Sequence, residues 1–136
     1  MGLTERRRIA DIKDQTTPAQ AEIKAITGYD LSLNFDTTTF PEDSVVLDGY
    51  DYYKDYAVPM ILRIFKDITK DALGKTAAQE KIKSIKIINT SKKGDDPGTK
   101  ELSLTNGELL ISYGFYQYSD NVWGEDELKS KIENLL

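Results

Sequence analysis

The chain has 136 residues, a formal net charge of −5, and neither cysteine nor histidine. Its length is typical of one domain, and its 39% hydrophobic and 30% charged residues are the composition of a folded globule. The missing residue types exclude disulfides, thiolate nucleophiles, serine–histidine triads and ordinary zinc sites. The negative charge repels polyanions, so no nucleic-acid partner is expected.

The sequence also lacks the signals of membrane insertion and export. The longest apolar runs, such as Val58 to Leu62, are far shorter than the roughly 20 residues that cross a bilayer. The arginines Arg6 to Arg8 are followed by Asp11 instead of the apolar stretch of a secretory signal. We therefore expect a single domain over residues 1–136, no membrane partner and a cytoplasmic location.

The N-terminal quarter predicts two helices and a strand. Thr4 to Asp14 has isoleucines among many charges, which indicates a short helix. A second helix is expected to open at Thr17-Pro18 and to end at Gly28, because glycine readily takes the left-handed conformation that closes a helix. From Tyr29 to Asp36 apolar and polar residues alternate strictly, which is typical of a half-buried strand.

The middle of the chain predicts a long central helix. Apolar residues recur with helical spacing from Tyr53 to Ile68, and Gly74 is the expected end of this helix. Pro59 lies inside the pattern and cannot donate to the helical ladder, so either a kink or the start of a new helix is expected near it. A shorter helix capped by Thr76 should follow.

The C-terminal half predicts a hairpin and a final helix. Asn106-Gly107 favours a two-residue type I′ turn, which sets Leu104 opposite Leu109 and Leu102 opposite Ile111. A neighbouring strand is expected at Ser84 to Asn89. Acids at the start of the last segment, followed by leucine and isoleucine on one stripe, predict a terminal helix.

These elements predict an α+β fold. The sheet should be mostly antiparallel, with the Ser84 to Asn89 strand joined to the Asn106-Gly107 hairpin in a meander. We expect this sheet to be packed against the long central helix and the C-terminal helix.

The sharpest chemical bias is acidic and aromatic. From Asp30 to Tyr56 there are seven acids against one lysine, and four of the eight tyrosines of the chain lie there. On a helix the following residues share a solvated face: Asp48, Asp51, Tyr52 and Asp55. Like charges at this spacing cost a few tenths of a kcal/mol each, which favours a use beyond stability.

We interpret this face as a binding site for a basic protein, because tyrosine anchors interfaces and carboxylates steer cationic partners. It is similar in surface chemistry to immunity proteins and other inhibitors of basic nucleases or toxins, a resemblance that transfers no residues. The hypothesis is therefore a non-enzymatic interaction module, such as an inhibitor or accessory protein. A solvated helix face without any partner is the simpler explanation of the same pattern.

Two other functions stay open at this point. One is a small-molecule-binding or carboxylate-based enzyme domain, although no spacing fixes a carboxylate pair, so no catalytic residue, metal ligand or cofactor is assigned. The other is self-association through apolar residues such as Phe115 and Trp123, if they are exposed.

Overall fold

A computed structural model describes residues 2–136. Along them run six α-helices, one short 3-10 turn and four strands. The helices are α1 (Leu3–Thr16), α2 (Ala19–Thr27), α3 (Ser44–Tyr53), α4 (Val58–Ile68), α5 (Ala72–Lys81) and α6 (Glu125–Glu133). The strands are β1 (Ser32–Asp36), β2 (Ser84–Asn89), β3 (Leu102–Thr105) and β4 (Glu108–Tyr113), and the 3-10 turn is Thr37–Thr39. The α+β class is confirmed.

The hairpin forms in the predicted register. Leu104 pairs with Leu109 and Leu102 pairs with Ile111 in the antiparallel β3–β4 ladder. Asn106 and Gly107 both have positive φ, 50° and 81°, as the type I′ turn requires. The local turn signal was therefore sufficient to set this part of the sheet.

The predicted antiparallel meander is wrong. The strand order is β1-β2-β4-β3, and β2 lies parallel to both β1 and β4, so only the β3–β4 pair is antiparallel. The side chains that β4 turns to the core, Leu109, Ile111 and Tyr113, are fully buried, whereas Leu102 and Leu104 of β3 are half-buried. Because a sheet buries its centre more than its edge, β4 takes the inner position beside β2.

Asn89 fixes the end of β2 next to the end of β4. Its side-chain oxygen accepts hydrogen bonds from the amides of Ser91 and Phe115, at 3.1 and 3.3 Å. Its side-chain amide donates to the carbonyls of Ser91 and Thr39. Thr90 then donates its backbone amide to Tyr113. These hydrogen bonds join the 3-10 turn, the end of β2 and the segment after β4, and they satisfy the buried side chain of Asn89.

The predicted long central helix is two helices. α3 ends at Tyr53 and α4 begins at Val58, so Pro59 lies in the first turn of a new helix, where its missing amide costs little. The start of a new helix near Pro59, one of the two predicted outcomes, is confirmed. The predicted end at Gly74 is wrong. α4 ends at Ile68, and Gly74 lies inside α5, where its amide donates to the capping side chain of Asp71 at 2.8 Å.

The helices cover one face of the sheet. Because side chains alternate between the two faces of a strand, Leu33, Ile85 and Leu109 lie on the same face of the sheet. There they form one core with the apolar stripes of the helices. The opposite face carries exposed or half-buried side chains such as Asn34 and Lys86. The predicted N-terminal helices, the β1 strand and the terminal helix α6 are all confirmed.

None of the helices within residues 2–136 has both the length and the apolar character that crossing a membrane requires.

Candidate protein-binding surface

The predicted site residues lie on α3 and in the turn that follows it. Asp43 starts this helix by accepting hydrogen bonds from the amides of Val45 and Val46, at 2.9 and 3.2 Å, which satisfies two free donors of the first turn. The buried side of α3 carries Val46, Leu47 and Tyr50. The opposite side and the following turn carry the four site residues, which we call the α3 surface: Asp48, Asp51, Tyr52 and Asp55.

A glycine seats α3 against the loop after β4. A Cβ atom on Gly49 would lie 1.7 Å from the carbonyl oxygen of Phe115 and 2.7 Å from the amide nitrogen of Gln117. Only glycine allows the backbones to approach this closely. Tyr53 reinforces the contact, since its hydroxyl donates to the carbonyl of Gln117 at 2.9 Å. These contacts fix α3, which carries most of the α3 surface, against the loop after β4.

Arg8 of α1 bridges two of the predicted site residues. Its Nη2 atom donates to Asp48 Oδ1 at 2.8 Å and to Asp51 Oδ2 at 2.9 Å. Partial burial acts to lower the pKa of Arg8, but the hydrogen bonds that it donates to both carboxylates, together with their negative charges, outweigh burial and raise the pKa of the guanidinium. One cation thus binds one oxygen of each carboxylate and holds the two anions in place.

The two aspartates stay accessible despite this bridge. Their side chains are 62% and 57% exposed, whereas that of Arg8 is 27% exposed. The cation therefore lies beneath the carboxylates as seen from solvent. An approaching partner would meet the aspartates before it met the arginine.

Asp55 lies apart from the bridged pair and lines a cleft between the first two helices and α4. This Asp55 cleft has a volume of about 230 Å³. Ala19, Val58 and Leu62 form apolar walls, and Glu22 adds a second carboxylate. Within residues 2–136, Asp55 makes no ion pair. Lys54 lies in the same cleft, so the lining combines apolar side chains with two carboxylates and one ammonium group.

Tyrosine supplies the aromatic part of the surface. Tyr52 is 58% exposed and meets the ring of Tyr53 edge-on, with centroids 4.8 Å apart. Tyr116 and Tyr118 flank the carbonyl that Tyr53 binds, and Tyr118 is 75% exposed. Tyr56, in the turn after α3, is also exposed. The sequence pattern does not reveal the loop after β4, because Gln117, whose carbonyl Tyr53 binds, lies 64 positions from Tyr53.

The surface carries an excess of negative charge. Five acids on or beside it face two bases, which leaves a local charge of −3. These residues are the acids Asp11, Glu22, Asp48, Asp51 and Asp55 and the bases Arg8 and Lys54.

Burial raises the pKa of Tyr50 to about 12, and the charges of Asp51 and Asp55 add to this effect.

The acidic stretch is more neutralised than its sequence indicates. Among residues 2–136, every acid from Asp30 to Tyr56 except Asp55 binds a basic side chain or a backbone amide of the same chain. Two arginines of α1 account for much of this, since Arg6 binds Glu42 at 2.7 Å and Arg8 binds the two aspartates. The run of three arginines near the N-terminus shows in the sequence that cations are present, but it does not show which acids they bind.

The residues considered for self-association lie inside the molecule. Phe115 is fully buried among the rings of Phe35, Phe40 and Tyr50, and Trp123 is 5% exposed. An interface between copies would have to use other side chains.

Comparison with known proteins found no matching family model, no matching curated protein and no matching solved structure. Within the described residues, no three potential metal-binding acids converge on one point. Function is therefore inferred from the geometry of the surface alone.

Proposed function

We propose that this protein is a non-enzymatic interaction module whose α3 surface docks a basic protein, in the manner of an inhibitor or accessory protein. The observation that carries the proposal is the excess of carboxylates that remains after Arg8 has bound Asp48 and Asp51. Such an excess beside exposed tyrosines provides both long-range attraction for a cationic partner and anchors for close contact.

The fixed geometry of the surface also favours docking. Arg8 holds two carboxylates in place, and the Gly49 contact joins α3 to the tyrosine-bearing loop. A partner would lose little free energy in ordering these groups, because the protein has already ordered them. The Asp55 cleft offers a place for one lysine or arginine side chain of that partner.

The test begins with capture of a binding protein from native host lysate at low salt. The purified pair is then measured by biolayer interferometry with the parent protein and with Asp55→Lys. We expect the partner to be basic, binding to weaken as salt rises, and the variant to lose about tenfold in affinity, which is roughly 1.4 kcal/mol. Asp55 is preferred to Asp51 for this change because a lysine at position 51 would face Arg8 and disturb the packing of α1.

Glu108→Lys is the matched control, since it changes the charge by the same amount. Glu108 begins β4, roughly 17 Å along the strand from Tyr113 and the loop that joins the α3 surface. The control should bind as the parent does. Equal affinities of Asp55→Lys and Glu108→Lys, or binding that does not respond to salt, would contradict the proposal.

A further inference from the structure

A second concave site lies on a different part of the molecule, between α6 and the edge strand β3. This α6–β3 cleft has a volume of about 580 Å³. That volume lies inside the range of small-molecule sites, which is roughly 300–1,000 Å³. Leu102 and Leu135 supply most of the apolar lining and Trp123, which is 5% exposed, adds a small area, while Lys100 and Lys131 supply positive charge.

Lys100 is held in place from two sides. Its Nζ atom lies 2.8 Å from Glu127 Oε1 and 5.2 Å from the centroid of the Trp123 ring. Its side chain is 25% exposed. An ion pair and a cation–π contact together keep the ammonium group at the wall of the cleft.

Lys131 is left without a counter-ion. It stands one helical turn after Glu127, the spacing at which a glutamate and a lysine usually pair. The carboxylate of Glu127 binds Lys100 across the cleft instead, and Lys131 has no ion pair within residues 2–136. A third ammonium group lies nearby, because Lys81 donates to the carbonyl of Leu135 at 3.3 Å.

We infer that the α6–β3 cleft binds a small amphipathic anion, such as a medium-chain carboxylate free in solution. The anionic head would pair with Lys131 and Lys100, and the apolar body would lie against Leu102, Leu135 and Trp123. Two lysines against one glutamate line this cleft, and Lys81 lies beside it at the Leu135 carbonyl, so the cleft is locally positive on a chain whose net charge is −5. This site is separate from the α3 surface and does not depend on the proposed docking function.

Trp123 makes the inference directly measurable. It is the single tryptophan of the chain, so intrinsic fluorescence and the indole N–H signal in NMR both report on this cleft. The indole Nε1 donates to the carbonyl of Ser112 at 2.9 Å, which gives that signal a fixed environment before ligand is added.

The experiment titrates the full chain with octanoate, below its micellar concentration, and with 1-octanol as the uncharged analogue. We expect octanoate to change the fluorescence and the indole signal in a saturable way, and octanol to bind several-fold more weakly. Lys131→Gln should raise the Kd for octanoate about two- to fivefold, because an exposed ion pair contributes up to about 1 kcal/mol. The double change Lys100→Gln/Lys131→Gln should raise it further.

Lys92→Gln removes the same charge from an exposed lysine in another region, beside the Gly94 that contacts Val45 of α3, and should leave the Kd unchanged. Circular dichroism confirms that each variant is folded. Three results would overturn the inference: no saturable change with octanoate, equal affinity for octanol, or equal Kd values for Lys131→Gln and Lys92→Gln.

Discussion

On α3, one arginine bridges two aspartates and leaves an excess of carboxylates, whereas in the α6–β3 cleft one glutamate binds one lysine and leaves an excess of ammonium groups. The two regions carry opposite charge on the same chain. In both, pairing within the chain reduces the charge that is left for a partner. The charge that a partner meets is therefore the remainder after internal pairing and differs from the charge of the local sequence.

The largest expected effect comes from the glycine beneath the acidic region. Gly49→Ala places a methyl group where the carbonyl of Phe115 already lies, so α3 must move away from the loop after β4. We expect the free energy of unfolding to fall by about 2 kcal/mol or more, measured by urea denaturation. Partner binding through the α3 surface should weaken at the same time.

Gly124→Ala is the matched change at the other region. Gly124 precedes α6 with φ −79° and ψ 150°, and no heavy atom lies within 4 Å of an added Cβ. Its free energy of unfolding should stay within about 0.5 kcal/mol of the parent value. Similar losses of unfolding free energy for the two variants would contradict the prediction that the close backbone contact at Gly49 makes alanine costly there.

An intermediate effect is expected at alkaline pH. The pKa of Tyr50 is raised to about 12 by burial, and burial likewise raises that of Tyr29 to about 12. An unfolded tyrosine has a pKa near 10, so the unfolded state loses its phenol protons first. The free energy of unfolding should therefore keep its full value below pH 10 and should decrease as the pH rises towards 12.

Urea denaturation at pH 9, 10 and 11 measures this fall, and Tyr50→Phe should make it shallower. Tyr29→Phe should also make it shallower, although it removes a hydrogen bond to the carbonyl of Ile82 and lowers stability at every pH. If the unfolding free energy of Tyr50→Phe fell with pH as steeply as that of the parent, Tyr50 would not contribute to the loss of stability at alkaline pH.

The smallest effect on stability is expected from the bridging arginine. Arg8→Gln removes the ion pairs to Asp48 and Asp51 and should lower the free energy of unfolding by about 0.5 to 1 kcal/mol, the usual range for exposed pairs. The association rate should change in the opposite direction. With both carboxylates released, association with a basic partner should become faster and more sensitive to salt.

Arg7→Gln is the control for this pair of effects, because it removes the same charge from the same helix. Arg7 is exposed and forms no ion pair within the part of the chain described, residues 2–136. It should leave stability nearly unchanged and should speed association less than Arg8→Gln. Stopped-flow mixing at two salt concentrations measures the difference, and equal rates for both variants would mean that only net charge matters.

The sequence predicted those features that depend on near neighbours. The Asn106-Gly107 turn determined the hairpin register, alternation determined β1, and the acids and apolar stripe of the last segment determined α6. Each of these rests on backbone preferences or on periodicity within about ten residues. Chain-local physics is strong enough there to decide the structure.

The features that were missed depend on contacts between distant residues. No local sequence pattern predicts that β2 pairs with β4. This pairing follows from the greater burial of β4 and from the hydrogen bonds of Asn89. The four site residues were predicted as exposed acids and a tyrosine on one helix, but Arg8 lies 40 and 43 residues from the aspartates that it bridges. Sequence spacing cannot identify such a pair.

The strand order has a further consequence for how copies of this protein behave beside one another. β1 and β3 form the two rims of the sheet, and they are five and four residues long. Lys100 and Glu101 stand directly before β3, and Asp36 ends β1. Short edge strands with charged residues beside them offer a poor template for an additional strand, which discourages the edge-to-edge pairing through which β-proteins aggregate.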